Sequence, residues 1–357
     1  MGIGKTKKFL SGFLFTLLIS SKLTAVEWTV HSSTKDIHQS SYGMIKELMT
    51  LNKQLWQQKA DPELKTAVGS EINREVIRFY SSDESPESIF TPYKMMLDHS
   101  YHGAYSAKRQ LHHDKIIEDL IWHRPSGLNK PVVIFMAGTM GVGKGYTRDR
   151  IGDLGFYDAD DYVKIDYDDI KQKLPEYEEI GKLNDSLVSK QAGSITHAES
   201  AFVAEIVQQY AIDHRYNIII DGSLNDLQWF EGVFKDFKES GYTIKLVYVS
   251  SDNLDVVEEN ANHRGKVEGR FVSREEIEKN YLAVSKTVGS RKKYTDFTLE
   301  ISGGSVVKRI EPKLKSVTFY ENEKIQRSVS FELHDRFLDA PEKADPVVSR
   351  ILTKLAH

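Results

Sequence analysis

Cysteine is missing from all 357 residues of the chain. That excludes a disulfide framework and any thiolate-held metal centre, so an ordinary packed core must carry the fold. Charge of one sign is missing as well. The 48 Lys and Arg stand against 52 Asp and Glu, a formal net charge of −4, which leaves no general field for a polyanion and gives no reason to expect a nucleic-acid partner. Internal repeats and long low-complexity runs are absent. With 40% hydrophobic and 10% aromatic residues, the chain can order its backbone and fill one large core or two ordinary ones. Apolar runs long enough to span a bilayer are lacking too. FLSGFLFTLLIS, residues 9–20, follows the lysine-bearing MGIGKTKK and precedes SKLTA, which offers small residues for cleavage near Ala25. A basic start, a short apolar stretch and small residues are the layout of an export signal. Residues 1–25 are therefore expected to be a signal peptide that sends the chain to a secreted or periplasmic location and leaves no membrane span after cleavage. Anchoring through the uncleaved apolar segment is the alternative, and Met1-Gly2 with Thr6 also fits a loose myristoylation pattern.

What is present begins with a helical region, expected over 26–127. Met44, Ile45, Leu48, Leu51 and Leu55 fall at spacings of three and four, which places them on one helix face. SSDESPESIFTPY interrupts the pattern, and SAKRQLHHDKIIEDLIWHRP resumes it as an amphipathic helix that ends near Pro125. His112 and His113 are neighbours on that helix, so they point in different directions, and they read as a solvated face rather than a metal site. From 128 to 302 the texture changes. PVVIFMAG, DYVKID, YNIIIDGS and YTIKLVYVS are short apolar segments alternating with helical ones, the pattern of a doubly wound parallel sheet in an α/β domain. Residues 303–357 are expected to be a small appendage: two strands around the polar tip Glu321-Asn322-Glu323, then a helix over DPVVSRILTKLA.

The chemistry concentrates in MAGTMGVGKGYTRDR, residues 136–150. Gly138, Gly143 and Lys144 satisfy the phosphate-loop pattern G-x-x-x-x-G-K, but Gly145 stands where a Ser or Thr hydroxyl is expected. Glycines let backbone N–H groups turn inward, the following helix presents its positive end, and the lysine supplies charge for the outer phosphates. The nucleotide-binding segment expected here comprises Gly138, Thr139, Met140, Gly141, Val142, Gly143, Lys144, Gly145 and Tyr146. With the hydroxyl gone, water or carboxylates from neighbouring strand ends would have to serve magnesium, because a helical turn rotates Thr147 away. Ligands of open parallel sheets sit beyond the carboxyl ends of the strands, so Asp168 and Asp221 are expected to converge on Lys144. Asp166 and Asp169 read as helix caps.

The series of phosphate loop, IDYDDIKQKLP, THAESAFVAEIV, NIIIDGSL and HRGKVEGRFVS resembles the zeta toxin family of P-loop kinases over about residues 130–302. The resemblance implies a P-loop kinase sheet, the cofactors ATP and Mg²⁺, and a small-molecule acceptor. In the best-understood members that acceptor is the 3′-hydroxyl of the amino sugar in UDP-N-acetylglucosamine. It gives Lys144 the phosphate-binding role and Asp168 that of general base, and Asp168 is also the expected metal ligand. Asp221 falls where the family has a glutamate that helps hold the sugar nucleotide, and Glu205 at another substrate-side acid. Arg264 and Arg270 match the arginines of a loop-like lid, with His263 competing for the place of Arg264. His197 and Glu199 are second-tier candidates, equally readable as caps. An antitoxin-like partner is left open without being implied. Two other readings remain: a protein that binds ATP without catalysis, suggested by Gly145 and the shortened acid at 221, and an exported interaction protein on a kinase scaffold.

Overall fold

The computed structural model describes residues 62–80, 85–181, 196–268, 272–305, 307–310 and 312–330, with short pieces at 48–50 and 52–54 and single positions at 350 and 353. The expected signal peptide, most of the first amphipathic stretch, most of the terminal helix and Arg270 lie outside the described residues. The chain divides into two compact units, residues 1–86 with 98–107, and 87–97 with 108–357.

Ahead of the sheet, the described residues form α1 (Pro62–Tyr80), α2 (Thr91–Met96), α3 (His99–His102) and α4 (Ala107–Ile121). In the first unit α1 buries Val68, Ile72, Val76 and Tyr80, four residues apart and so on one face. Asn73 Oδ1 accepts from the His99 backbone N–H at 2.9 Å, and Asp98 caps α3 by accepting from the Ser100 N–H at 3.0 Å.

The second unit is built on a seven-stranded sheet in the order β2-β3-β1-β4-β5-β6-β7, with β1 (Val132–Ala137), β2 (Tyr162–Asp166), β3 (Asn217–Asp221), β4 (Thr243–Ser250), β5 (Phe297–Ser302), β6 (Lys313–Glu321) and β7 (Lys324–Ser330). The first five are parallel neighbours, and β6 and β7 are antiparallel. The helices between and after them are α5 (Lys144–Asp153), α6 (Tyr167–Gln172), α7 (Pro175–Gly181), α8 (His197–Asp213), α9 (Leu227–Glu239), α10 (Leu254–Glu268) and α11 (Arg274–Arg291). The continuous apolar run of β1 is explained by helices on both faces. Phe135 packs edge-on against Phe230, Phe234 and Phe237 of α9. Ile134 and Met136, pointing the other way, join a core with Val142, Ile151, Val257, Ala261 and Ile277.

Three details differ from the sequence reading. FTLEIS forms β5, a fifth parallel strand that had escaped notice because Thr298 and Glu300 interrupt its apolar run. The expected hairpin is present, with Asn322 and Glu323 at φ of 50° and 63° in its turn, yet it extends the same sheet through β5. HRGKVE is the end of α10, so Arg264 sits on a helix and not in a loop.

Candidate active site

Between β1 and α5 the chain turns through glycines that no other residue could replace without movement. Gly141 has φ +82°, and a Cβ there would lie 2.4 Å from the Val257 carbonyl oxygen on α10. At Gly143, φ +89°, it would lie 2.7 Å from the Gly304 carbonyl oxygen just beyond β5. The loop is thus pressed between α10 and the end of β5, and side chains fasten it. The Thr139 hydroxyl donates to Asn280 Oδ1 at 2.8 Å, and the Met140 N–H donates to the same oxygen at 3.1 Å. Asn260 Nδ2 donates to the Gly141 carbonyl at 3.0 Å, while the Ser305 hydroxyl donates to Asn260 Oδ1 at 2.5 Å. Sequence reasoning missed both asparagines. Nothing in a single helix sequence marks an amide that reaches a loop about 140 or 120 residues away.

The charges gather at the carboxyl ends of β1, β2 and β3. Asp166 and Asp221 end their strands as register partners, and Met136 of β1 faces Asp221 in register. Their carboxylates therefore stand side by side, and Arg148, one turn into α5 from Lys144, lies against both. Its Nη1 is 2.6 Å from Asp221 Oδ2 and 3.6 Å from Asp166 Oδ2. Burial works against the Arg148 charge, but Asp221 and Asp149 outweigh it and hold its pKa above the ordinary value. Burial, then Asp221, raises the pKa of Asp166. Asp166 also caps α6, accepting from the N–H groups of Asp168 and Asp169. Lys144 curls over its own loop and donates to the Gly138 carbonyl at 3.0 Å. Burial lowers its pKa, and the charges acting on it are Asp221, Asp168 and Asp166 in opposition and Arg264 in support. Asp168 Oδ1 lies 3.3 Å from Lys171 Nζ and its Oδ2 3.8 Å from Arg264 Nη2.

The family model for Zeta toxin matches residues 117–325, more than half of the chain, with β1 to β6 whole and the first two residues of β7. The chain belongs to the zeta toxin family. Members of that family are kinases, and the mostly parallel sheet with flanking helices is a P-loop kinase fold. Solved structures similar to this family member include one of the PezAT chromosomal toxin–antitoxin system of Streptococcus pneumoniae, 14% identical, covering 72% of this chain and 95% of that one at a TM-score of 0.46. Another is the AvrRxo1-ORF1:-ORF2 complex with ATP, 16% identical, covering 76% and 90% at a TM-score of 0.47. No curated protein matches the chain.

Within this zeta toxin fold, Lys144, Asp168, Asp221 and Arg264 come together at one rim of the sheet, and Arg148 and Asp166 join them. His197, in the first turn of α8, has its pKa lowered first by desolvation and then by Lys171, with Asp168 opposing. Glu205 lies eight residues further along α8, about 12 Å at 1.5 Å rise per residue. Glu199 is committed elsewhere. It accepts from Arg109 Nε and, at 2.5 Å, from His113 Nε2, while Arg109 Nη2 also reaches Glu176 at 2.5 Å. Burial opposes the Glu199 charge, but the bonds from His113 and Arg109 prevail and hold its pKa at about 2. The solvated face expected for His113 is therefore corrected. His113 is fully buried, and its neighbour Asp114 pairs at 2.5 Å with the fully buried Lys94 of α2. The pattern misled because polar partners on α2 and α8 let α4 bury a polar edge. His112 Nε2 contacts the Lys173 carbonyl at 2.9 Å.

The donor set does not suit a magnesium ion held by the protein. Position 145 offers no side-chain oxygen, Thr147 is fully buried, Asp166 and Asp221 are both engaged by Arg148, and Asp168, the expected metal ligand, stands between Lys171 and Arg264. Among the described residues no three acidic or histidine side chains are grouped to hold an ion. The glycine cradle, by contrast, fits a phosphate chain.

Proposed function

We propose that this zeta toxin family member is a small-molecule kinase that binds ATP on residues 138–146 and transfers the γ-phosphoryl group to a hydroxyl of a metabolite. A nucleotide sugar such as UDP-N-acetylglucosamine is the first acceptor to test, and Mg²⁺ would arrive on the nucleotide. The reading rests on one observation: the convergence of Lys144, Asp168, Asp221 and Arg264 beside a loop too tight for any Cβ at 141 or 143. In the reaction the acceptor oxygen bonds to the γ-phosphorus, the bond to the β–γ bridging oxygen breaks, and ADP leaves. Asp168 takes the acceptor's proton, Lys144 steadies the outer phosphates, and Arg264 with Arg270 neutralises the phosphoryl oxygens. Asp221 and Glu205 would contact the acceptor.

The test is incubation of the full chain with labelled ATP, Mg²⁺ and a metabolite extract, followed by mass spectrometry of whatever gains phosphate. A phosphorylated metabolite that disappears with Lys144→Ala and with Asp168→Asn is the expected result. ATP binding without any product would favour a non-catalytic nucleotide binder, and equal turnover by both variants would overturn the site. An antitoxin-like protein is a further candidate partner, to be sought by co-purification. Export by residues 1–25, with anchoring as the alternative, is proposed from their composition, and N-terminal sequencing of the expressed protein decides it by cleavage near Ala25.

A further inference from the structure

Phosphate loops ordinarily place a hydroxyl directly after the lysine, where it reaches a divalent cation that also answers to nearby acids. Here Gly145 is not forced by space. A Cβ built there meets nothing nearer than Arg148 Nη2, 4.0 Å away, and its φ is not left-handed. The first atom that a side chain at 145 would encounter is thus part of a guanidinium whose Nη1 reaches Asp221 at 2.6 Å and Asp166 at 3.6 Å, while its Nε and Nη2 hold Asp149 and Lys164 lies 3.4 Å from the same Asp166 oxygen. Arg148 is the fifth of the ten residues of the same helix, with a side chain 14% exposed, against 15% for Asp166 and 9% for Asp221. Two carboxylates in register beside a triphosphate would repel it unless a cation stood between them.

We propose that Arg148 is a positioning residue that takes the place of the loop hydroxyl and its protein-held cation, neutralising Asp166 and Asp221 so that the chain receives a nucleoside triphosphate without itself ligating a divalent ion. A planar guanidinium suits this task, because it can face both carboxylates at once and stays charged whatever its burial. The same contact would fix the orientation of Asp221 toward the acceptor. The inference rests on the nucleotide-binding reading above, but it fails separately from it.

The experiment is calorimetric titration of ATP into the full chain with Mg²⁺ and again with EDTA. The wild-type dissociation constants should agree within about threefold, since the protein holds no ion of its own. Arg148→Gln should weaken binding in EDTA by about tenfold or more and regain most of it with Mg²⁺, because the exposed acid pair then needs an external cation. Arg148→Lys should fall between the two. Thermal melts confirm that each variant folds, and Arg148→Lys keeps the charge should Arg148→Gln not fold. A tenfold or greater loss of wild-type binding on metal removal would overturn the proposal while leaving the nucleotide reading intact, as would unchanged behaviour of Arg148→Gln or Arg148→Lys. Failure to bind ATP in either condition would overturn both.

Discussion

Two charged clusters sit in the kinase unit, and they are built on different terms. Around α4 and the start of α8, Lys94 meets Asp114 and Arg109 and His113 meet Glu199, each pair joining one helix to another, with Lys94 and His113 fully buried. At the strand ends, Asp168 and Arg264 are 37% and 43% exposed and stand 3.8 Å apart, too far for a good hydrogen bond. The first cluster spends its charges on holding helices. The second is mixed: Arg148 pairs with Asp221 at 2.6 Å and Lys144 donates to its own loop, whereas Asp168 and Arg264 stay open to solvent, where incoming phosphates can reach them. Exposure distinguishes Asp168 and Arg264 from the fully buried Lys94 and His113, since residue types alone are nearly the same in both clusters.

The largest effect should come from the exposed cluster and appear in rate, not stability. Asp168→Asn is expected to lower phosphoryl transfer by about 10²–10⁴-fold, the usual worth of a general base, while the melting temperature barely moves. A large drop in melting temperature would show that Asp168 belongs with the structural group. Asp114→Ala should do the opposite. Leaving Lys94 buried without its carboxylate should cost about 3–5 kcal/mol in denaturant unfolding, with the phosphate loop chemistry retained in whatever fraction stays folded. Next comes acid sensitivity. The folded pKa of Glu199, about 2, lies below its ordinary 4.5, so its contribution is complete above about pH 4.5 and disappears as pH falls toward 2. That contribution is roughly 3 kcal/mol, and Glu199→Gln should flatten this limb of the pH–stability curve. The smallest effect concerns the loop itself. Gly145→Ala has open space and should stabilise α5 by about 0.5–1 kcal/mol in a thermal melt.

Sequence alone determined the local chemistry: a phosphate loop after a buried strand, acids at the ends of β2 and β3, and the alternation that makes a parallel sheet. These are readable because they repeat over a few residues, through side-chain period, turn glycines and spacing. Tertiary structure decided everything that depends on distant partners. Only folding brings Asn280 and Asn260 onto the loop, sets Asp166 beside Asp221 through strand register, and lays Arg148 across both. It likewise turned His113 from a surface residue into a buried one, because burial is a property of what packs against a helix and not of the helix's own letters.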